Sequence, residues 1–505
     1  MPPPVIKQVY ASCGALCLFF TNGYLLGLQA VLAPSLRGGP LRLTADQESW
    51  IPSSLILMVF PSEVLFGVVS DALGRRRVLL AALLPCLAAV ALLHCAGSYP
   101  ALLAAYCCAG VGGGGLFVAS MTVAELTAPR YRPAFISCQL LTQITAIGLA
   151  HYISNFVDWR SQIIYVAIPC VLGMLATLTA PESPVWLAAR GRFEEAKAAH
   201  YWLHGDDATD SLQQLIKNQE MEIHARIHKT DKSWRCRVSF LKEKQFLRAM
   251  FLAFAAAIFI ENCGKQLFNA YAIDMINMIM HEPEHVYYYA AMLDAVDVVS
   301  LALSIVLIQK FNRRTLLMSL GFPALTLLFI TSLFSFLMSK DIVPARFAWV
   351  TLLLLSVYFF MLNIGVIPSL YTVMNEVYPV DHRGAGAAAT SLAYVSVMFV
   401  VTKLAPALLR GCGVGGLLAA SAAVSALSLL GLCWRLPETG GRTLVDISEQ
   451  LRARGVEEER GAWGTRGAGR HLAGDVRDKF LKTPYPPSPT SLLNVEYVSV
   501  QQNCC

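Results

Sequence analysis

A chain of 505 residues that is 55% hydrophobic and only 15% charged has too little polar surface for a soluble globule of that size, which argues against an ordinary soluble enzyme. Its net charge of +6 is small for such a length and gives little support to a nucleic-acid partner; attraction to an anionic lipid leaflet accounts for it better. Most of the 14 cysteines lie inside apolar runs, as do Cys107, Cys108, Cys138 and Cys263, and no CxxC pair occurs, so neither a zinc site nor a disulfide framework is indicated.

In chain order, runs long enough to cross a bilayer (roughly 20 residues each) lie at 10–34, 50–70, 78–97, 100–124, 134–155 and 162–180. A second group lies at 247–276, 286–309, 315–338, 345–375, 385–408 and 414–434. The first run carries no cleavage-site pattern and is read as retained. The pattern predicts an all-α membrane protein with twelve transmembrane helices in two six-helix bundles, residues 1–180 and 247–436. Gly112 to Gly115 reads as tight helix packing rather than phosphate binding. Between the bundles, 181–246 forms a cytoplasmic linker. Pro184 suits a helix start, and Phe193, Ala196, Ala199 and Trp202 make an apolar stripe, as do Leu212, Leu215, Ile216 and Ile223 within 211–225. The tail, 437–505, becomes Gly-, Arg- and Pro-rich and reads as largely disordered. Tyr497-Val-Ser-Val500 within it fits a tyrosine-type sorting signal, a contact for sorting machinery, and Cys504-Cys505 offers thiols for lipidation without matching a C-a-a-X box.

Lys and Arg fall after the even-numbered runs: Arg75 to Arg77, Arg130 and Arg132, the linker, Lys310 to Arg314, Arg383, and the tail from Arg435. Short opposite-side connections such as 277–285 and 409–413 hold few or none. The positive-inside rule therefore places both termini and the linker in the cytoplasm.

Short charged motifs sit on that same side and occur twice. Gly67-x-x-x-Asp71-x-x-Gly74-Arg75-Arg76 is echoed by Lys310-Phe-Asn-Arg313-Arg314. Glu125-Leu-Thr-Ala-Pro-Arg-Tyr-Arg132 is echoed by Glu376-Val-Tyr-Pro-Val-Asp-His-Arg383, and Pro181-Glu182-Ser-Pro by Pro437-Glu438-Thr-Gly. The offsets from Arg75 to Arg313, Glu125 to Glu376 and Glu182 to Glu438 are 238, 251 and 256 residues. A duplicated membrane bundle with a site between its halves is a common architecture of secondary carriers. A carboxylate at one helix end and a guanidinium on the next pair bidentately, and such pairs are expected to hold the two bundles together on the cytoplasmic face. Asp71, Arg75, Arg76, Glu125, Arg132 and Glu182 make the first such network; Arg313, Arg314, Glu376, Arg383 and Glu438 make the second. Anchoring of helix ends at the interface uses the same contacts.

These motifs, with Pro-Glu-Ser-Pro-Val-Trp-Leu187 and Leu436-Pro-Glu-Thr-Gly-Gly-Arg-Thr-Leu444, resemble those of the sugar porters of the major facilitator superfamily over residues 10–445. Ser49-Trp50-Ile51 and Glu125-x-x-x-Pro129-Arg-x-Arg132 resemble the insect facilitated trehalose transporters within that group. The resemblance implies alternating access by rocking of the two bundles and a central polyol site of amides, hydroxyls and aromatic faces. Counting from the family's motifs implies Gln139 and Gln143 in the fifth run, Glu261, Lys265 and Gln266 in the seventh, Asp297 in the eighth, Tyr371 in the tenth and Tyr394 in the eleventh as substrate-binding residues. Glu261 and Asp297 stand where the family has amides, Tyr371 where it has tryptophan, and Ala105 or Tyr106 where it has a fourth-run arginine. Lys265 lies four residues after Glu261, so on an unbroken helix the two would neutralise one another; ionisable groups at this depth are otherwise functional. Glu63 in the second run is a further acid at membrane depth, and Asp294 falls near the outer end of the eighth.

In the family an acid in the first run accompanies proton symport; this chain has Thr21 and Asn22 there, which favours facilitated uniport. The expected function is facilitated diffusion of a hexose or of trehalose across the plasma membrane, with no cofactor, metal or enzymatic chemistry. A proton-coupled or charged-solute porter using Glu261, Lys265 and Asp297 is one alternative, and a non-transporting nutrient sensor another.

Overall fold

Hydrocarbon offers a backbone N–H or C=O no partner, so each apolar run closes its own hydrogen bonds as helix. The computed structural model describes residues 3–37, 41, 43–128, 130–205, 216, 244–282, 284–378 and 383–436. The stripe expected over 211–225, Ile216 apart, and the whole tail therefore lie outside the described residues.

The first half contains α1 (Pro4–Arg37), α2 (Ala45–Leu73), α3 (Arg75–Cys95), α4 (Tyr99–Gly113), α5 (Leu116–Leu126), α6 (Arg132–Ile153) and α7 (Trp159–Thr179). Two short helices follow, α8 (Pro184–Ala189) and α9 (Phe193–His204). The second half contains α10 (Lys244–Asn262), α11 (Lys265–Met280), α12 (Val286–Lys310), α13 (Arg313–Ser339), α14 (Ala348–Met361), α15 (Ile367–Glu376) and α16 (Arg383–Arg435). A π-helical turn, Leu362–Val366, joins α14 to α15. Among the described residues 11 stretches are long and apolar enough to cross a membrane. One of them, Gly386–Trp434, has 49 residues, more than twice the roughly 20 a crossing needs. It is broken at Gly413 (φ 65°, ψ −174°), which turns it into crossings 11 and 12.

The expected runs and the crossings coincide to within a few residues, and several helices extend beyond their runs, where polar residues cap rather than span. Thr44 and Gln47 form a reciprocal capping box ahead of α2, with hydrogen bonds of 2.9 and 3.3 Å. Ser183 caps α8, with Pro184 in the first turn as expected. Crossings 4, 7 and 10 are each interrupted, which the sequence reading did not anticipate.

Within the first half α1 packs on α6 and α7, and α4 on α2 and α3; in the second, α10 and α13 pack on α16. Between the halves α2 meets α16 and α6 meets α12. The second crossing of each half thus faces the fifth of the other, as a two-fold relation between repeats requires. Crossing 1 also meets α11, the latter part of crossing 7.

On α9 the buried stripe runs Ala196, Ala199 and Leu203, against Trp186 and Leu187 of α8 and the start of α1. Trp202 falls one position off that stripe and stays 37% exposed, stacked near Tyr10 and Lys7. Gln8 of α1 donates to the Leu203 carbonyl (3.4 Å) and accepts from the Ala128 N–H (3.1 Å), tying α1, α5 and α9 at one end of the bundle.

Small residues allow the closest crossing contacts. A Cβ on Gly110 would stand 2.1 Å from the Leu55 carbonyl oxygen, and one on Gly112 2.2 Å from the Cys86 sulfur. Gly67, by contrast, has nothing within 4 Å. Gly110→Ala is therefore expected to force α2 and α4 apart and cost about 1–3 kcal/mol, read as a fall in melting temperature of the purified protein, while Gly67→Ala leaves it unchanged.

Candidate functional site

The repeated motif folds around one glycine. Gly74 takes φ 100°, a conformation that side-chain-bearing residues avoid, and turns α2 directly into α3. A Cβ there would lie 2.3 Å from a Glu182 carboxylate oxygen. In its absence Glu182 reaches the exposed first turn of α3 and accepts the backbone N–H groups of Arg75 (2.9 Å) and Arg76 (3.1 Å), a carboxylate at a helix N-terminus. The nearly buried Arg75 guanidinium contacts Glu125 at 3.2 Å and Asp71 at 2.9 Å and donates to the Ser70 carbonyl at 2.9 Å. Ser183 donates to Glu125 at 2.5 Å, and Trp186 and Arg190 hold the Asp71 carbonyl. Arg76 donates to the Leu178 carbonyl, and Arg132 stands exposed at the start of α6. All the ion pairs and hydrogen bonds described for this cluster stay within the first half and α8.

Of the second network, Arg314 donates to the Cys433 carbonyl at 3.3 Å and Arg313 begins α13. The side chains of Glu376 and Arg383, and all of Glu438, lie outside the described residues.

At mid-depth the structure departs from the helix arithmetic. Gly264, left-handed at φ 83°, separates α10 from α11, so Glu261 and Lys265 belong to different helices and the expected pair along one face is not made. Lys265 instead meets Asp297 of α12 at 3.4 Å and donates to Asn363 of the π turn, which donates to Asp297 at 2.5 Å. Glu261 is buried beside Tyr394, and the Tyr394 and Tyr371 hydroxyls lie 3.1 Å apart. Its second oxygen, Oε2, is buried without a partner. In the first half Gln139, also buried, accepts from Ser120 at 2.9 Å and leaves its Nε2 unpartnered. Gln143 donates to Asn22 of α1 at 3.1 Å. Gln266 is half-buried on α11. The arrangement supplies donors, acceptors and two tyrosine rings, with Lys265 and Asp297 neutralising one another.

Several polar contacts join the halves, and sequence reasoning missed most of them. Buried His151 of α6 meets Asp294 of α12, Nδ1 to Oδ2, at 2.6 Å. Glu63 accepts from Ser391 at 2.7 Å. Arg37 reaches Asp274 at 2.7 Å, and Lys403 reaches Asp46 at 2.8 Å. Glu63 is legible as an acid at membrane depth and Asp294 as an acid near the outer end of its run; His151, Arg37, Asp274 and Lys403 belong to no motif.

A family model for sugar (and other) transporters matches residues 9–451. The sugar transporter ERD6 of Arabidopsis thaliana is 25% identical over 451 residues, covering 88% of this chain and 87% of that protein. The facilitated trehalose transporter Tret1 of Bombyx mori is 23% identical over 442 residues, covering 87% and 85%. Among solved structures, the inward-open xylose transporter XylE of E. coli superposes with a TM-score of 0.69 at 20% identity, covering 89% of this chain and 99% of that one; at that identity the likeness concerns the fold.

Arg75→Ala leaves Glu125 without its guanidinium in a largely buried position. A loss of about 3–5 kcal/mol is expected, measured by thermal unfolding, and Arg75→Lys is expected to recover only part of it, because an ammonium cannot serve Glu125, Asp71 and Ser70 together.

Proposed function

The chain belongs to the sugar (and other) transporter family, and from that premise we propose that it moves a hexose or a disaccharide such as trehalose across the plasma membrane by facilitated diffusion. It is a multi-pass membrane transporter of the major facilitator fold, not an enzyme. The observation that carries the substrate reading is the pair Gln139 and Glu261, one on each half, each buried with one hydrogen-bonding atom unsatisfied. A buried polar atom without a partner costs about 1–3 kcal/mol. Sugar hydroxyls, which donate and accept at once, could supply an acceptor for the Gln139 Nε2 and a donor for the Glu261 Oε2. Tyr371 and Tyr394 offer ring faces beside Glu261, and Gln143, Lys265, Gln266 and Asp297 complete the polar lining.

Facilitated movement is favoured over proton coupling by two features. Crossing 1 presents Thr21 and Asn22 rather than an acid, and Asn22 is engaged by Gln143. Asp297 is held by Lys265 and Asn363, so this acid already has a structural partner. On the same reading residues 1–180 and 247–436 rock about the site, linked by 181–246, with both termini, the motif cluster and the 437–505 tail in the cytoplasm. The Arg75 cluster fixes the shape of the cytoplasmic end of the first half, against which the second-half network closes, and the tail's Tyr497 segment meets the sorting machinery.

The test is uptake of labelled glucose and of trehalose into transport-deficient cells, in mildly acidic and in neutral medium. Saturable uptake of one of them, insensitive to pH, is expected. Glu261→Ala and Gln139→Ala should each raise KM about tenfold or more, as loss of a hydrogen bond to substrate implies. Absence of uptake for both sugars, with the protein at the cell surface, would overturn the reading.

A further inference from the structure

The end of the bundle opposite the Arg75 cluster carries two sets of charges that cross between the halves. Arg37, the last residue of α1, uses its whole guanidinium: Nε and Nη2 donate to Glu48 of α2 at 2.9 and 3.0 Å, and Nη1 and Nη2 donate to Asp274 of α11 at 2.7 and 3.0 Å. Lys403 of α16 donates to Asp46 and to the Ser49 hydroxyl of α2, both at 2.8 Å, and lies 4.1 Å from the Trp50 ring centroid. Trp50 in turn lies 6.2 Å from Phe399 of α16.

The two halves use these contacts differently. Glu48 shares the first half with Arg37, so that pair survives any movement between halves and keeps the guanidinium aimed. Asp274 sits on α11, which is separated from α10 by the Gly264 turn and bent again at Tyr271 (φ −132°, ψ 23°). It is therefore the contact that a swing of α11 breaks. Lys403 would lose Asp46, Ser49 and Trp50 together. Each set pairs an exposed group with a largely buried one, Arg37 at 50% with Asp274 at 12% and Asp46 at 76% with Lys403 at 22%, so water reaches one partner of each and the pair can break and re-form. A contact present in one state of a carrier and absent from the other shifts the balance by its own energy.

We infer that Arg37 and Lys403 are the residues that hold the passage shut on the face opposite the Arg75 cluster, the outer face in the orientation proposed above. Arg37 is a standing clamp aimed by Glu48 that captures Asp274, and Lys403 is a bolt that seats between Asp46 and Trp50. The inference rests on the alternating-access reading but not on the identity of the solute.

Hydrogen–deuterium exchange of the full chain in lipid nanodiscs tests it without any solute. Arg37→Gln and Lys403→Asp are each expected to speed exchange about fivefold or more in the peptides covering 265–280 and 398–412. Residues 70–79, at the other end, should keep the wild-type rate and report intact folding. Asp46→Lys alone should behave like Lys403→Asp, and the double reversal Asp46→Lys with Lys403→Asp should return exchange toward wild type. Raised salt should mimic the single variants in the wild-type protein. Unchanged exchange at 265–280 and 398–412 in Arg37→Gln and Lys403→Asp, or a double reversal no slower than its singles, would overturn the assignment even if sugar uptake is normal. Clasp-dependent exchange in a protein that moves neither sugar would uphold it while removing the proposed solutes.

Discussion

Everything in this fold follows from the requirement that no backbone polar group be left unpaired in hydrocarbon. Unbroken helix satisfies it automatically, so a break in a crossing is tolerated only where protein supplies the missing partner. The break at Gly264 meets that condition. Where α10 ends before Gly264, the Cys263 carbonyl accepts the Tyr358 hydroxyl at 2.5 Å. Near the Tyr271 bend, that residue's own hydroxyl reaches back to the Thr402 carbonyl at 3.0 Å. The π turn at 362–366 is flanked by α12, α13 and α14 and buries Asn363. Irregular backbone thus lies between helices rather than against lipid, and polar side chains of the candidate site, Lys265 and Asn363, are set at these irregularities. The interruptions and the site share one cause.

Charges obey a related rule. A carboxylate or guanidinium away from water must be met by its opposite or by several hydrogen bonds. Arg75 is met by two carboxylates and a carbonyl, Lys265 by Asp297 and Asn363, and His151 by Asp294. The pairs at the two ends of the bundle differ in exposure. At the motif end, Arg75 and Glu125 are nearly enclosed, which suits a fixed structural joint. At the other, the cations are more open, Arg37 at 50% and Lys403 at 22% against 9% for Arg75, which suits contacts that come and go.

The sequence made the crossings, the duplication and the motif-end cluster legible, because each is written in local pattern: apolar runs, a repeated string, a Pro after a Ser cap. The Glu261–Lys265 pairing was misread because counting by four assumes an uninterrupted helix, and one left-handed glycine removes that assumption. The bridges between halves were invisible for a different reason. His151 and Asp294 are 143 residues apart, Arg37 and Asp274 237, and Lys403 and Asp46 357; each is a lone charge whose partner only the three-dimensional arrangement can name. Asn363 likewise looks like any polar residue in an apolar run until the π turn places it beside Asp297.

One element touches both ends of the molecule. Helix α1 runs continuously for 34 residues, about 51 Å at 1.5 Å per residue. Its first turns are bound to α9 through Gln8 and Leu203, and its last residue grips Glu48 and Asp274. Mechanically it is a connecting rod between a collar at one end of the bundle and a latch at the other. A load applied to α9, such as a protein seated on it, would act along that rod towards Arg37. The small helices after the first half are therefore more than ballast: they stand at the handle of a lever whose working end lies across the membrane.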